Sequence, residues 1–373
     1  MLNSDSLLTS PKGPPRGSFA FWLTLLLEAA AIAGGIAAAV WRPSAGWVER
    51  SFSNGYYPHW ERALHAITRE VPFSLGDFVV LAGLLAIVWR SIAQIRQARR
   101  ARSWRPIARL ALDLAAVAGL YAAWFYAGWG WGYDRPPLQD RTAYSASRVT
   151  PAAIGALRAR AIAEMNRLAP LAHARHESDP HLDRTRLRDA WLPVVRRLGD
   201  AWTPAVGRPK PTLADPFMNA TGTSGFINPF TLESQLASDL LWFERPFSLA
   251  HEWSHAAGFN REDEANYIAA VTCLRDPGAV ARYSGWLELF LYLPPEKKYA
   301  KSTFVPLVWR DFAALRARNA RRINLSLSRF SWHVYNRYLQ SNHVASGIAN
   351  YDEVTRLFVG IPLDRRGLPV TSR

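Results

Sequence analysis

The sequence predicts a mainly α protein: three N-terminal transmembrane helices, then a mostly helical α+β domain with a small sheet. Three observations predict it. There are three long apolar segments before residue 132, an arginine-rich loop between the second and third, and helical patterning through most of the remaining chain. A helix needs about 20 residues to cross hydrocarbon. Residues 19–41 (23 residues, with one charge at Glu28) and 107–131 (25 residues) are long enough, and 73–89 (17 residues) is marginal. Trp22, Trp41, Trp89, Trp129 and Trp131 lie at or near segment ends, where amphipathic rings favour the lipid–water interface.

Basic residues orient the segments. Arg90, Arg96, Arg99, Arg100, Arg102 and Arg105 stand between the second and third with no acidic residue among them, so that loop is placed in the cytoplasm. Lys12 and Arg16 put the N-terminal tail on the same side. The expected organisation is a cytoplasmic tail (1–18), a three-helix transmembrane region (19–132) and a domain outside the cytoplasm (133–373). The lipid bilayer, a bacterial inner membrane, is thus an expected partner, with the domain facing the periplasm or cell exterior. A cleaved signal peptide is the alternative for the first segment, but its apolar run exceeds the roughly 7–15 residues of a signal core. Glu28, Asp77 and Asp113 are candidates for an intramembrane ion site; Asp77 and Asp113 lie near enough to segment ends to reach the interface or a neighbouring helix.

The net charge of +15, from 45 basic and 30 acidic residues, raises the question of nucleic acid. Beyond the apolar segments the charges are spread, apart from Arg316, Arg318, Arg321 and Arg322, which read as the solvated or headgroup-facing side of a helix. No zinc-finger or RNA-motif pattern accompanies them, so nucleic-acid binding is disfavoured. A single cysteine excludes an intramolecular disulfide framework and a Cys-rich zinc module.

Past the membrane, Thr150 before Pro151 reads as an N-cap opening a helix to about residue 168. A second helix covers about 182–198. Residues 204–229, rich in Pro, Gly, Thr and Asn, read as loops and short strands. Helical patterning resumes near Pro246 and runs to about 339, broken at Leu293-Pro294-Pro295, and a last helix covers about 352–358.

The chemistry is carried by His251-Glu252-Trp253-Ser254-His255, an HExxH sequence. On a helix, residues four apart lie about 40° apart in azimuth and 6 Å in height. Both imidazoles can therefore bind one zinc ion. Glu252 stands beside the metal, placed to accept a proton from a water whose pKa zinc lowers to about 7. A third ligand is required. Gly258 should stop the helix, and Arg261 cannot ligate, which leaves Glu262 and Glu264. Glu262 is preferred because Asn266, four residues on, shares its face and could hydrogen-bond a ligand. His173 and His176 are candidates for a second metal, in a segment read as loop. Glycines in 221–228 would allow a strand to approach the site closely and to pair with an extended peptide, or else form a structural turn. Tyr267, Arg282 and Tyr283 are candidates to stabilise an oxyanion.

The three apolar segments, Pro72 to Asp77, Trp131 to Leu138, Gly225 to Thr231, His251 to His255, Arg261 to Asn266 and Arg282 to Gly285 together resemble the bacterial membrane family called domain of unknown function 3810, over nearly the whole chain. The HExxH with a later Glu-x-x-x-Asn also resembles gluzincin metallopeptidases. That resemblance implies a zincin-like domain, with zinc on His251, His255 and Glu262 and Glu252 as the base. Asn266 stands where many of those enzymes have Asp, and the gap from His255 to Glu262 is short. The expected function is a membrane-anchored zinc metallopeptidase acting on a peptide or protein. The rival readings are a noncatalytic membrane protein with a structural zinc site and a partner-binding outer domain, and a zinc amidohydrolase acting on non-peptide amides.

Overall fold

The computed structural model describes residues 17–199, 201–296, 298–341 and 351–372; most of the 1–18 tail lies outside them. The chain opens with α1 (Gly17–Val40), α2 (Ala45–Trp47), a π-helical stretch Val48–Tyr56, α3 (Tyr57–Thr68), α4 (Leu75–Ala101) and α5 (Arg105–Gly128). It continues with α6 (Leu138–Arg141), α7 (Pro151–Ser178), α8 (Arg184–Arg197) and α9 (Asp215–Thr221). Strands β1 (Gly225–Ile227) and β2 (Ser234–Leu236) come next, then α10 (Arg245–Ala256), α11 (Glu262–Arg275) and α12 (Ala279–Tyr292). The chain closes with α13 (Pro306–Arg322), α14 (Leu325–Ser341) and α15 (Tyr351–Gly360). The protein is mainly helical with one two-stranded sheet.

The chain divides into two compact units, residues 1–41 with 83–127 and residues 42–82 with 128–373. The first consists of α1, most of α4 and α5. These three helices are long and apolar enough to cross a membrane, and their exposed side chains are largely Leu, Val, Phe and Trp, which supports membrane association. α4 is 27 residues long, well beyond its apolar run. No Gly or Pro interrupts residues 84–104, and the helix stops only where Arg102 adopts a φ of +45°.

Inside this unit, α1 and α5 cross closely. A Cβ on Gly119 would come within 2.5 Å of the Ala31 carbonyl oxygen and 2.7 Å of the Ile32 Cα. Small residues permit such backbone approach, which supplies the packing that lipid cannot. The acidic residues do not converge on an ion site. Glu28 pairs with Arg109. Asp113 pairs with Arg109 at 3.0 Å and with Arg90 at 2.8 Å. Each charge thus has a neutralising partner, as an apolar surrounding requires. Asp77 is engaged elsewhere, within the second unit.

In the second unit α10 and α11 pack side by side, and α8, α12 and α15 pack around them, with α7 against α12. The core contains Trp191, Trp253, Phe243, Phe259, Tyr267 and Tyr283, all nearly inaccessible. The indole of Trp191 donates to Ser254 Oγ at 3.1 Å, and that hydroxyl donates to the Ala250 carbonyl at 2.7 Å. Burying large amphipathic rings therefore leaves this N–H satisfied. α7 runs ten residues past its expected end at about residue 168, through Pro170, to Ser178. Burial of Ala169, Ala172 and His173 and the bond from His173 Nε2 to Asp311 at 2.9 Å offset the hydrogen bond that proline removes. His173 and His176 are therefore helical and not in a loop, with His173 on Asp311 and His176 stacked on Trp242.

The sheet is antiparallel, with Gly225 opposite Leu236 and Ile227 opposite Ser234. Lys210 bridges to Gln235 on the other side of β2. Beside it lies a buried polar cluster. Glu233 accepts from the backbone N–H groups of Leu75 (3.2 Å) and Gly76 (2.9 Å) and from Thr231 (2.7 Å), and it pairs with Lys210 at 2.9 Å. The first turn of α4 is thus capped by a carboxylate, which satisfies orphan donors and suits the positive end of the helix.

Candidate metal centre

The HExxH sequence lies on the last two turns of α10, and Gly258 at φ +83° ends the helix. Its N–H reaches the His255 carbonyl at 2.8 Å. The turn is held by distant segments. Asn260 donates to the Trp129 carbonyl at 2.8 Å, the Tyr57 hydroxyl donates to the Ala256 carbonyl at 2.9 Å, and Phe259 is buried beneath the Arg135 guanidinium at 4.7 Å. So clamped, the chain reverses and places the first residue of α11, Glu262, against the histidine face of α10.

Glu262 Oε2 lies 3.3 Å from His251 Nε2, and Oε1 lies 3.5 Å from His255 Nε2. Charge-assisted N–H···O bonds are shorter, about 2.7–2.9 Å. Two ligands at zinc distances of about 2.0–2.1 Å and a tetrahedral angle stand about 3.3–3.4 Å apart. The separations are compatible with those of donors around a tetrahedral ion. Among the described residues this is the one group of three or more His, Cys, Asp or Glu whose ligand atoms lie within 4.8 Å of one another.

The imidazoles are oriented from behind. His251 Nδ1 meets Asn266 Oδ1 at 2.7 Å, and His255 Nδ1 meets the Phe259 carbonyl at 2.8 Å. The acceptors there suit a proton on Nδ1 of each ring and turn each Nε2 toward Glu262. Asn266→Ala is expected to weaken zinc binding about 10–100-fold, read by competition with a chromogenic chelator; unchanged affinity would remove Asn266 from this role.

Burial pushes Glu262 upward, but the imidazoles of His255 and His251 hold its carboxyl well below the usual range. Burial lowers His255, yet the Glu262 and Glu252 carboxylates raise it to about 9. Glu252 itself is pushed up to about 7 by burial, with Glu262 adding and the imidazoles opposing. Glu252 is 2% exposed and its Oε2 has no hydrogen-bond partner among the described residues. A Cβ on Gly225 would stand 2.6 Å from Glu252 Oε1 and 2.8 Å from the Gln235 carbonyl oxygen. Only glycine lets β1 pass this close.

Glu264 points away. It accepts from the Leu138 N–H at 2.9 Å and lies 3.5 Å from Arg141, where it caps α6. Of the three oxyanion candidates, the Tyr283 hydroxyl donates to Asp311 and Arg282 pairs with Glu164 at 3.7 Å, whereas the buried Tyr267 hydroxyl has no hydrogen-bond partner among the described residues. Sequence reasoning missed the Phe259 carbonyl and the ring of Trp129, 6.0 Å from His255. A backbone acceptor carries no residue signature, and Trp129 is 126 positions away in the chain.

The family model described as Protein of unknown function (DUF3810) matches residues 52–359. The chain belongs to this family. The match spans the capped start of α4, the turn around Arg135, both strands and all of α10 and α11, so every element that builds the centre lies within it. No curated protein and no solved structure matches the chain.

Proposed function

We propose that this protein is a membrane-anchored zinc metallopeptidase whose centre, on a zincin-like helix pair, faces away from the cytoplasm. The observation that carries the reading is the convergence of His251 Nε2, His255 Nε2 and the Glu262 carboxylate at separations suited to a tetrahedral ion. Three protein ligands leave a fourth position open, as catalytic zinc sites do, whereas structural sites are closed by four. A zinc ion held there would supply Lewis acidity and lower the pKa of a bound water to about 7.

The chain's own residues supply the rest. Glu252, buried beside the ligands with an oxygen that has no partner among the described residues, takes the proton of the attacking water and returns it to the leaving amine. β1 is paired on one edge by β2, and its backbone touches Glu252 at Gly225. An extended peptide added to its other edge would lie along the acid that serves it. This favours a polypeptide over a compact amide.

The full-length protein in detergent is expected to cleave an unstructured polypeptide such as casein. 1,10-Phenanthroline should abolish cleavage and added zinc restore it. Cleavage indifferent to the chelator would overturn the metal role. Hydrolysis confined to non-peptide amides would make the enzyme an amidohydrolase.

A further inference from the structure

We infer that α9, the segment leading into it and α14 form a second, non-spanning membrane contact, seated in the leaflet that the N-terminal end of α4 reaches. This contact presupposes that α4 spans the membrane. Asp77, in the first turn of α4, ties that end to residues 212–213: its carboxylate accepts from the Leu213 N–H at 2.6 Å and from Thr212 Oγ1 at 3.2 Å. Leu213 is 66% exposed and Phe217, on α9, is 49% exposed. Phe73 and Phe78, whose rings lie 5.1 Å apart at the start of α4, are exposed as well. Exposed apolar side chains thus stand both at the start of α4 and on the segment tied to that start.

α14 extends this surface. The Asn324 N–H donates to the Ala220 carbonyl at 2.8 Å and Ser328 Oγ to the Thr221 carbonyl at 2.9 Å, which lays the start of α14 against α9. Ile323 fills the space beside Gly222, at the end of α9. Leu325, Phe330, Trp332 and Val334 remain exposed, interleaved with Arg329 and Arg337. Aromatic and aliphatic side chains among arginines suit the boundary between acyl chains and headgroups. Apolar surface on this scale needs a cover, and the nearest apolar medium is the bilayer that α4 enters. From the end of α9 only three residues lead to β1, at most about 14 Å of extended chain over four Cα steps. The seat would therefore hold the strand beside Glu252 close to the membrane surface.

Nitroxide labels on Leu213→Cys, Phe217→Cys and Phe330→Cys would test this in the full-length protein. The protein would be reconstituted in phosphatidylcholine vesicles containing phosphatidylglycerol. The native Cys273 is fully buried. Ala159→Cys, exposed on α7, serves as the aqueous reference and Leu84→Cys, within α4, as the lipid reference. The expected result is an oxygen-to-nickel-chelate accessibility ratio several-fold above that at residue 159 for all three positions. Ratios equal to residue 159, with residue 84 in lipid, would overturn the seat and leave the span intact. An aqueous ratio at residue 84 would instead overturn the span. Spectral broadening at residues 213 and 330 that disappears on dilution with unlabelled protein would show that a second copy covers the face, and would also overturn the inference.

Discussion

Glu252→Gln is expected to leave zinc content unchanged and to reduce peptide hydrolysis by about 10²–10⁴-fold, the usual contribution of a positioned general base. The two side chains share a shape, so Gln keeps the close fit under Gly225, and the proposed ligands His251, His255 and Glu262 are untouched. What disappears is an oxygen that can take a proton. Parallel measurements of metal content, thermal midpoint and cleavage rate separate this from misfolding. A variant that cleaves as fast as the wild type would show that Glu252 is not the base. A variant that loses zinc would place Glu252 among the groups that hold the ion.

Glu233→Ala is expected to cause the largest loss of stability. Lys210 and Glu233 are 6% and 4% exposed, and removing one partner of a buried pair costs about 3–5 kcal/mol, because the other charge stays behind. For a unit of this size that corresponds to a fall in the unfolding midpoint on the order of 10 °C, measurable on the full-length protein in detergent. The N–H groups of Leu75 and Gly76 also lose their acceptor. Replacing both partners, as Glu233→Gln with Lys210→Met, should recover part of the loss. Burial pushes the Glu233 carboxyl up, but the Gly76 N–H, Thr231, Lys210 and the Leu75 N–H hold it below the usual 4.5. A depressed folded value means that its contribution is fully present above that usual value and is lost as the pH falls through the lowered one. A Glu233→Ala midpoint equal to the wild type at neutral pH would show that the cluster does not hold this end of α4 in place.

Much of the centre was legible because its signals are local. The four-residue spacing of His251 and His255 needs only a helix to put both rings on one face. Gly258 is legible as a stop because only glycine readily adopts positive φ. Glu262 and Asn266 are four apart, so any helix containing both presents them together, and Asn266 does meet a residue of the candidate centre, His251. The length and composition of α1, α4 and α5 are local in the same sense. Other features were beyond local reading. The helical residues 45–68, including the π-helical stretch, carry mixed charges and no clear period. The extension of α7 across Pro170 depends on Asp311, 138 positions from His173. The choice between Glu262 and Glu264 depended on the Leu138 N–H, which claims Glu264 across 126 positions.

The sequence by itself therefore determined the apolar helices and the face that the motif presents, because hydropathy and helical periodicity act over a few turns. Only the tertiary structure decided which carboxylate meets the imidazoles, which carbonyl orients His255 and which strand passes over Glu252. Those relations exist only once distant segments are packed, and the packing that creates them is set by burial and hydrogen-bond satisfaction across the whole unit, not by any residue's neighbours in the chain.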